Sequence, residues 1–234
     1  MSAPEEIVPG VYGVNLGFVN AFFIADDVVT LVDTGIKARA AQIASALKDV
    51  GREDVANIAL THHHPDHRGG LGLLRKEGVK VFVHPIDAQI VRGDRKPPGP
   101  RGNPLRRAAF GVLGPILMRG QTSPVDVELT EGDVIPDSGG LRAVHTPGHT
   151  MGHVSFLHPD KRVLFVGDAA RNMRRLANTP SAFAEDMPEA RRTIAKIAGL
   201  DFDTAVFGHG GVLRGKANAE FRKLADELAS APGD

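Results

Sequence analysis

The stretch that most constrains this chain is THHHPDHRGG, residues 61–70, in which four histidines and an aspartate lie within six positions. Imidazole and carboxylate groups are the ligands expected for zinc and related divalent metals. An apolar run over 55–60 precedes the cluster and predicts a short buried strand, and a Leu-rich helix is predicted over 71–76. Pro65 disfavours helix in the residue before it, so the cluster is predicted to lie on a turn between strand and helix, where α/β proteins place their sites.

A histidine-rich tract has two other interpretations: a metal-scavenging surface segment or the remnant of an expression tag. A tag would lie at a terminus and would lack the flanking strand and helix. A solvated tract would not need an aspartate and a proline at fixed offsets. The sequence therefore favours a metal site.

Composition removes several classes of function. Lys plus Arg equals Asp plus Glu at 28 each, so the net charge is zero, which argues against binding to nucleic acid or an anionic membrane. The chain has no cysteine, which excludes disulfides, thiolate ligands and a Cys nucleophile. No signal-peptide pattern and no apolar run near the roughly 20 residues of a membrane helix are visible. We expect a cytoplasmic protein that acts on a small molecule and binds neither nucleic acid nor a membrane.

The hydrophobic pattern predicts strands followed by helices in each half of the chain. The predicted strands lie at 7–14, 18–24, 28–32, 55–60, 80–83, 125–129, 141–145, 154–158, 162–166 and 205–207. The predicted helices lie at 38–50, 71–76, 86–91, 188–198 and 216–229. This order predicts two sheets packed face to face with helices outside. No linker is visible, so we expect residues 1–234 to form a single domain.

The segment at about 93–124 departs from this pattern, because it is rich in proline and arginine and carries an apolar patch. A long irregular insert in a compact domain is more often a functional lid than a passive loop. A disordered connector is the alternative. The apolar patch favours a lid that covers the substrate with Phe110, Leu113, Ile116, Leu117 and Met118.

Three further motifs place a histidine or an aspartate beside a glycine at the end of a predicted strand. They are TPGHT at 146–150, VGD at 166–168 and GHG at 208–210. Each motif alone is weak, since such pairs usually mark only a turn. Together with LVDTG at 31–35 and THHHPDH at 61–67, in this order, they resemble the motifs of the metallo-β-lactamase fold superfamily. The resemblance implies an α/β protein built as a four-layer αββα sandwich, with metals at one edge of the two sheets.

The resemblance also implies seven metal ligands divided between two ions. The first set is His62, His64 and His149, the second is Asp66, His67 and His209, and the residue shared by both is Asp168. Asp33 matches a position that orients a ligand imidazole from outside, although simple turn formation with its neighbours is the alternative. His63 is not a ligand in this pattern. The implied cofactor is a pair of divalent ions, with Zn²⁺ first and Fe, Mn, Co or Ni as alternatives.

The expected function is that of a dinuclear metal-dependent hydrolase. A hydroxide held between two metals would attack the carbonyl of a small ester, lactone or thioester at neutral pH. Asp66 and Asp168 are the expected catalytic carboxylates, with Asp66 steering or relaying a proton. β-Lactam and phosphodiester hydrolysis are alternatives with the same metal centre.

Two branches of the family are matched only in part. Glyoxalase II enzymes resemble the chain in THHHxDH but carry a long C-terminal helical extension, whereas one predicted helix follows His209 here. The well-known lactonases place a tyrosine near the bridging aspartate, and the only tyrosine here is Tyr12. An oxidoreductase similar to the mono-iron persulfide dioxygenases is the alternative from a different class, and it needs mainly the first set of histidines. The sequence leaves the oligomeric state open, a homodimer included.

Overall fold

The structure is a computed structural model that describes residues 3–99 and 122–230. Within these ranges the first sheet has seven strands in the order of the chain. They are β1 (Glu5–Val8), β2 (Val11–Asn15), β3 (Asn20–Ala25), β4 (Val29–Val32), β5 (Val55–Ala59), β6 (Lys80–Val83) and β7 (Val127–Glu128). The first four pair antiparallel, and β4 to β7 pair parallel.

Short helices follow the parallel strands of this sheet. A 3₁₀ turn, Lys37–Arg39, leads into α1 (Ala40–Asp49), and the remaining helices are α2 (Pro65–Arg68), α3 (Leu71–Leu74) and α4 (Pro85–Arg92). Pro65 occupies the first turn of α2, where a missing N–H costs nothing. Asp66 and His67 therefore lie on a single helical turn between β5 and α3, whereas His62 and His64 precede it.

The second sheet has the order β13-β10-β9-β8. Its strands are β8 (Arg142–His145), β9 (Val154–His158), β10 (Val163–Gly167) and β13 (Thr204–Phe207). A separate hairpin joins β11 (Ala170–Asn172) to β12 (Leu176–Asn178), and two helices, α5 (Met187–Ala198) and α6 (Ala217–Ser230), complete this half. The sequence pattern did not predict the hairpin, because its short strands lack an apolar alternation.

Alternating side chains show that both sheets are buried on both faces. In β3, Ala21 and Phe23 pack in the core shared with α1, while Phe22 and Ile24 pack against the second sheet. In β10, Phe165 faces the first sheet and Leu164 packs in the core that includes α5 and α6. Since successive strand residues point to opposite faces, these three cores define the layers helix, sheet, sheet, helix. The predicted αββα sandwich is confirmed.

One predicted strand was wrong in its extent. The run 7–14 forms two antiparallel strands, because Gly10, at φ +78°, turns the chain between Val8 and Val11. Glycine adopts this left-handed backbone conformation without steric cost, because it has no Cβ. Among the helices that the structure describes, none is long and apolar enough to cross a membrane.

Candidate metal centre

The five motifs meet at one edge of the two sheets. β4 is followed by Asp33, β5 leads through Thr61 to the histidine cluster, β10 is followed by Asp168, and β13 by His209. Parallel strands present their carboxyl ends at the same edge of a sheet, which is where α/β proteins bind ligands. All seven predicted ligands lie together at this edge.

The first set consists of three imidazoles, of which His62 and His149 are buried and His64 is half-buried beside the cavity. His64 Nδ1 lies 3.0 Å from His62 Nε2 and 3.0 Å from His149 Nε2. Burial is the main cause that lowers the pKa of each ring, to about 4 for His64 and well below the ordinary value for the other two. The three rings are therefore neutral at pH 7 and turn ring nitrogens toward one point, an arrangement that suits a divalent cation.

The second set combines Asp66 with two histidines. Asp66 Oδ2 lies 3.4 Å from His209 Nε2 and 3.9 Å from His67 Nε2. Burial by itself would lower the pKa of His209, but Asp168 and Asp66 outweigh it and raise the pKa to about 10. The pKa of His67 is likewise raised, because Asp168, Asp33 and Asp66 outweigh its burial. Without a bound ion, both rings are thus imidazolium partners of carboxylates.

Asp168 lies between the two sets. Its Oδ1 is 3.4 Å from His67 Nε2, and its Oδ2 is 3.2 Å from His209 Nε2 and 3.5 Å from His149 Nε2. The carboxylate therefore contacts histidines of both sets, which is the position expected of a residue shared by two ions.

In four of the five predicted histidine ligands, the ring nitrogen that points away from the centre lies within hydrogen-bond distance of a protein oxygen. We call this atom the outer nitrogen and the other ring nitrogen the inner one. His67 Nδ1 donates to Asp33 Oδ2 at 2.7 Å, and His209 Nδ1 donates to the Phe18 carbonyl at 2.6 Å. The Nδ1 atoms of His62 and His149 lie 3.0 and 2.9 Å from the hydroxyls of Thr61 and Thr179.

Because the Thr61 hydroxyl donates to Asp33 Oδ2 at 2.8 Å, it must accept from His62. Outer partners of this kind select the tautomer that leaves the inner nitrogen free for a metal.

Two buried polar atoms at the centre, His67 Nε2 and Asp168 Oδ1, form an ion pair at 3.4 Å but make no hydrogen bond among the described residues. Such atoms are uncommon because an unsatisfied buried polar group costs about 1–3 kcal/mol. Both belong to a group of side chains that could hold a metal ion, together with His62. The donor types, the burial and the two atoms without a hydrogen bond fit divalent ions.

His153 supports this centre from outside the ligand set, and the sequence patterns indicated only a structural or surface role for it. Its Nε2 accepts the Asp168 backbone N–H at 3.0 Å, so its Nδ1–H donates to Thr146 Oγ1 at 2.8 Å. Thr146 and Ser155 continue the chain of hydrogen bonds to the Val166 carbonyl. His153 thereby anchors the backbone at the shared carboxylate. In the sequence, His153 lies four residues after His149 and beside Gly152, and this nearness is the feature that could have indicated a role at the centre.

His63, His84 and His145 belong to none of the groups of described residues that could hold an ion. His84 and His145 stack on each other with ring centroids 4.2 Å apart, and His145 Nε2 lies 3.0 Å from the Met151 carbonyl. His63 is buried with its Nδ1 3.0 Å from Asp87 Oδ2.

A cavity of about 530 Å³ opens above the centre and is bounded by His64, Asp66 and Asp168. Three large apolar side chains lie at its margin with most of their surface exposed: Phe18, Met173 and Phe183, at 59%, 64% and 67%. The cavity therefore has a polar floor, formed by the predicted metal ligands, and an apolar margin, formed by these three side chains. The predicted lid residues Phe110, Leu113, Ile116, Leu117 and Met118 lie outside the described residues.

Comparisons with known proteins agree with this architecture. The family model of the metallo-beta-lactamase superfamily matches residues 14–209. A relative from Bacillus subtilis, named probable metallo-hydrolase YflN, is 28% identical, and the match covers 96% of this chain and 93% of the relative. A hydroxyacylglutathione hydrolase of Rhodopseudomonas palustris is 31% identical, but the match covers 55% of this chain and only 39% of that enzyme.

Solved structures show the same fold. A metallo-beta-lactamase family protein of Thermus thermophilus superposes with a TM-score of 0.73 at 26% identity, covering 95% of this chain and 79% of that one. The subclass B3 metallo-beta-lactamase BJP-1 of Bradyrhizobium japonicum superposes with a TM-score of 0.71 at 23% identity, covering 97% and 91%. The second likeness is one of fold alone. Taken with the match over residues 14–209, these findings establish that the chain belongs to the metallo-beta-lactamase superfamily and is a metal-dependent hydrolase.

Proposed function

We propose that this chain hydrolyses small esters, lactones or thioesters whose acyl group is apolar, with two divalent ions held by the seven side chains at the sheet edge. The observation that carries the proposal is the cavity, which has imidazole and carboxylate ligands on its floor and exposed apolar side chains at its margin. A carbonyl at the floor would leave its acyl group beside Phe18, Met173 and Phe183. Burial of that group would supply the binding energy.

The metal assignment follows the two sets described above. His62, His64 and His149 would hold one ion, Asp66, His67 and His209 the other, and Asp168 would contact both. Zn²⁺ is the ion that best suits this imidazole and carboxylate set. Bound ions would lower the pKa of a bound water to roughly 7 and polarise a carbonyl oxygen.

The protein's own groups orient this chemistry. Asp33, Thr61, Thr179 and the Phe18 carbonyl hold the outer nitrogens of the histidines and so aim the inner ones at the centre. Asp66 is the more accessible of the two carboxylates, with 27% of its side chain exposed against 11% for Asp168. This greater exposure supports Asp66 as the group that would accept a proton from the cavity and pass it on, while Asp168 would keep its charge at the centre.

The relatives support an acyl substrate. Several relatives are named hydroxyacylglutathione hydrolase, a name that describes hydrolysis of an acyl group from glutathione. The matches to them cover about half of this chain. The complete seven-residue set favours hydrolysis over the mono-iron oxidoreductase alternative, which needs mainly the first three histidines.

The test measures metal content by elemental analysis and hydrolysis of a substrate panel. We expect two zinc-like ions per chain and hydrolysis of esters and thioesters that improves as the acyl chain lengthens. One iron per chain with oxygen consumption, or activity confined to phosphodiesters, would refute the proposal.

The apolar margin is tested separately with Phe183→Ala. We expect KM for a long acyl substrate to rise roughly 10- to 150-fold with little change for an acetyl substrate, since a large apolar contact contributes roughly 1.5–3 kcal/mol. Leu73→Ala is the matched control, because Leu73 is 53% exposed and does not line the cavity. Equal effects of both substitutions would show that the margin does not bind the acyl group.

A further inference from the structure

The two segments that carry the first set of histidines are joined through one carboxylate oxygen. Asp87 stands in the first turn of α4 and is 1% exposed. Its Oδ2 accepts the His63 backbone N–H at 2.9 Å and the Thr150 hydroxyl at 2.9 Å. His63 lies between His62 and His64, and Thr150 follows His149 directly. One oxygen therefore ties together both stretches of chain.

The surroundings of Asp87 keep its carboxylate ionised and in place. His63 Nδ1 lies 3.0 Å from the same Oδ2. The buried Arg68 donates through Nε to the His63 carbonyl at 2.6 Å and interacts favourably with the charge of Asp87. Burial by itself would raise the pKa of Asp87, but the contacts with His63 and Thr150 outweigh it and lower the pKa. A buried carboxylate persists only where such partners exist.

Close packing leaves this connection little freedom. A Cβ atom at Gly152 would lie 2.4 Å from Asp87 Oδ1 and 2.7 Å from the Asp87 backbone nitrogen. The turn that follows His149 thus packs directly on the first turn of α4. A shift of Asp87 would move the turn with it.

We propose that Asp87 is a positioning residue for the first metal site. It sets the spacing between the 62–64 segment and the turn after His149, so that the inner nitrogens of the three histidines converge. The inference rests on the proposed function only in that these histidines are taken as ligands. Asp87 is not itself a ligand, since its Oδ2 faces His63 and Thr150 and it belongs to none of the groups of described residues that could hold an ion.

The experiment titrates the metal-free full-length protein with Co²⁺ and records both the affinity and the visible spectrum of the bound ion. We expect Asp87→Ala to weaken one of the two Co²⁺ equivalents roughly 10–100-fold, the usual effect of losing a group that orients metal ligands. Asp87→Asn keeps an acceptor for both donors, so its loss should be smaller. The Co²⁺ spectrum of the Ala variant should change as well, because the ligand geometry changes.

A double-mutant cycle separates positioning from a general loss of stability. Thr150→Val removes the hydroxyl that Asp87 accepts, so it should weaken Co²⁺ binding in the wild type and have little further effect in Asp87→Ala. Asp126→Ala is the matched control, because Asp126 also accepts a backbone N–H, from Val81 at 2.8 Å, and pairs with Arg75, away from the histidines. It should bind Co²⁺ as the wild type does.

The outcomes distinguish this inference from the proposed function. If the wild type binds no Co²⁺, the metal assignment is wrong and the inference is overturned with it. If the wild type binds Co²⁺ and Asp87→Ala matches it in affinity and spectrum, only the positioning role is overturned. Additive effects of Asp87→Ala and Thr150→Val, or an equal loss in Asp126→Ala, would overturn it too.

Discussion

The strongest single test of how the centre is held together is Asp33→Asn. Asp33 is buried and accepts three hydrogen bonds, from the Thr61 N–H and hydroxyl, both at 2.8 Å, and from His67 Nδ1 at 2.7 Å. It adopts φ +61°, a conformation that asparagine also tolerates. The substitution therefore removes the negative charge and one acceptor oxygen. It preserves the size of the side chain and the conformation of the backbone.

The magnitude follows from the donors that lose their acceptor. If the introduced asparagine keeps its amide oxygen on the Thr61 N–H, its NH₂ group faces the Thr61 hydroxyl and His67 Nδ1. Two hydrogen bonds at about 1–1.5 kcal/mol each give a loss of about 2–3 kcal/mol in the free energy of unfolding of the metal-free protein. His67 would also lose its orienting partner, so Zn²⁺ affinity should fall roughly 10–100-fold.

The assay combines urea unfolding of the metal-free protein with a competitive Zn²⁺ titration. Asp133→Asn is the matched control, because Asp133 also accepts both the N–H and the hydroxyl of a threonine, Thr130, but in an exposed turn. It should cost less than about 1 kcal/mol and leave Zn²⁺ binding unchanged. If Asp33→Asn lowered the free energy of unfolding and the Zn²⁺ affinity no more than Asp133→Asn does, the hydrogen bonds of Asp33 would not be what orients the histidines.

Three further predictions concern protons, backbone and ions. The raised pKa values of His67 and His209, about 10 for the latter, mean that both rings are protonated in the metal-free protein at about pH 7.5, so metal binding should release about two protons and strengthen as the pH rises. Calorimetry in buffers of different ionisation enthalpy would measure this, and an affinity that is constant from about pH 6 to 9 would contradict it. Gly148→Ala should lower the free energy of unfolding by about 2–4 kcal/mol, because the φ of Gly148 is +130° and the new Cβ would lie 2.4 Å from the Ala190 nitrogen. The control is Gly51→Ala, whose Cβ would meet no atom within 4 Å and which should cost only about 1–2 kcal/mol. Equal losses of the two variants in urea unfolding would refute the steric argument. Removal of the ions with a chelator should lower the thermal midpoint, since ions present at about 100 times their Kd contribute about 2.7 kcal/mol; a midpoint that the chelator leaves unchanged would show that no ion stabilises the fold.

The amino-acid sequence was sufficient for the fold class and for the identity of the candidate ligands. The apolar runs predicted most of the strands, and the candidate ligands came from the resemblance of the five motifs to those of the metallo-β-lactamase superfamily. His62, Asp168 and His209 each follow such a run. The short hairpin of β11 and β12 lacked this pattern and was therefore missed.

Tertiary structure alone decided how these groups are aimed and what surrounds them. Which nitrogen of His149 faces His64 depends on Thr179, and the spacing of their two segments depends on Asp87, 63 residues from Thr150. The apolar margin likewise collects Phe18, Met173 and Phe183 from three separate loops. The physical reason is that residue type records which donors exist, whereas tautomer, spacing and cavity shape are set by contacts between chain segments that only folding brings together.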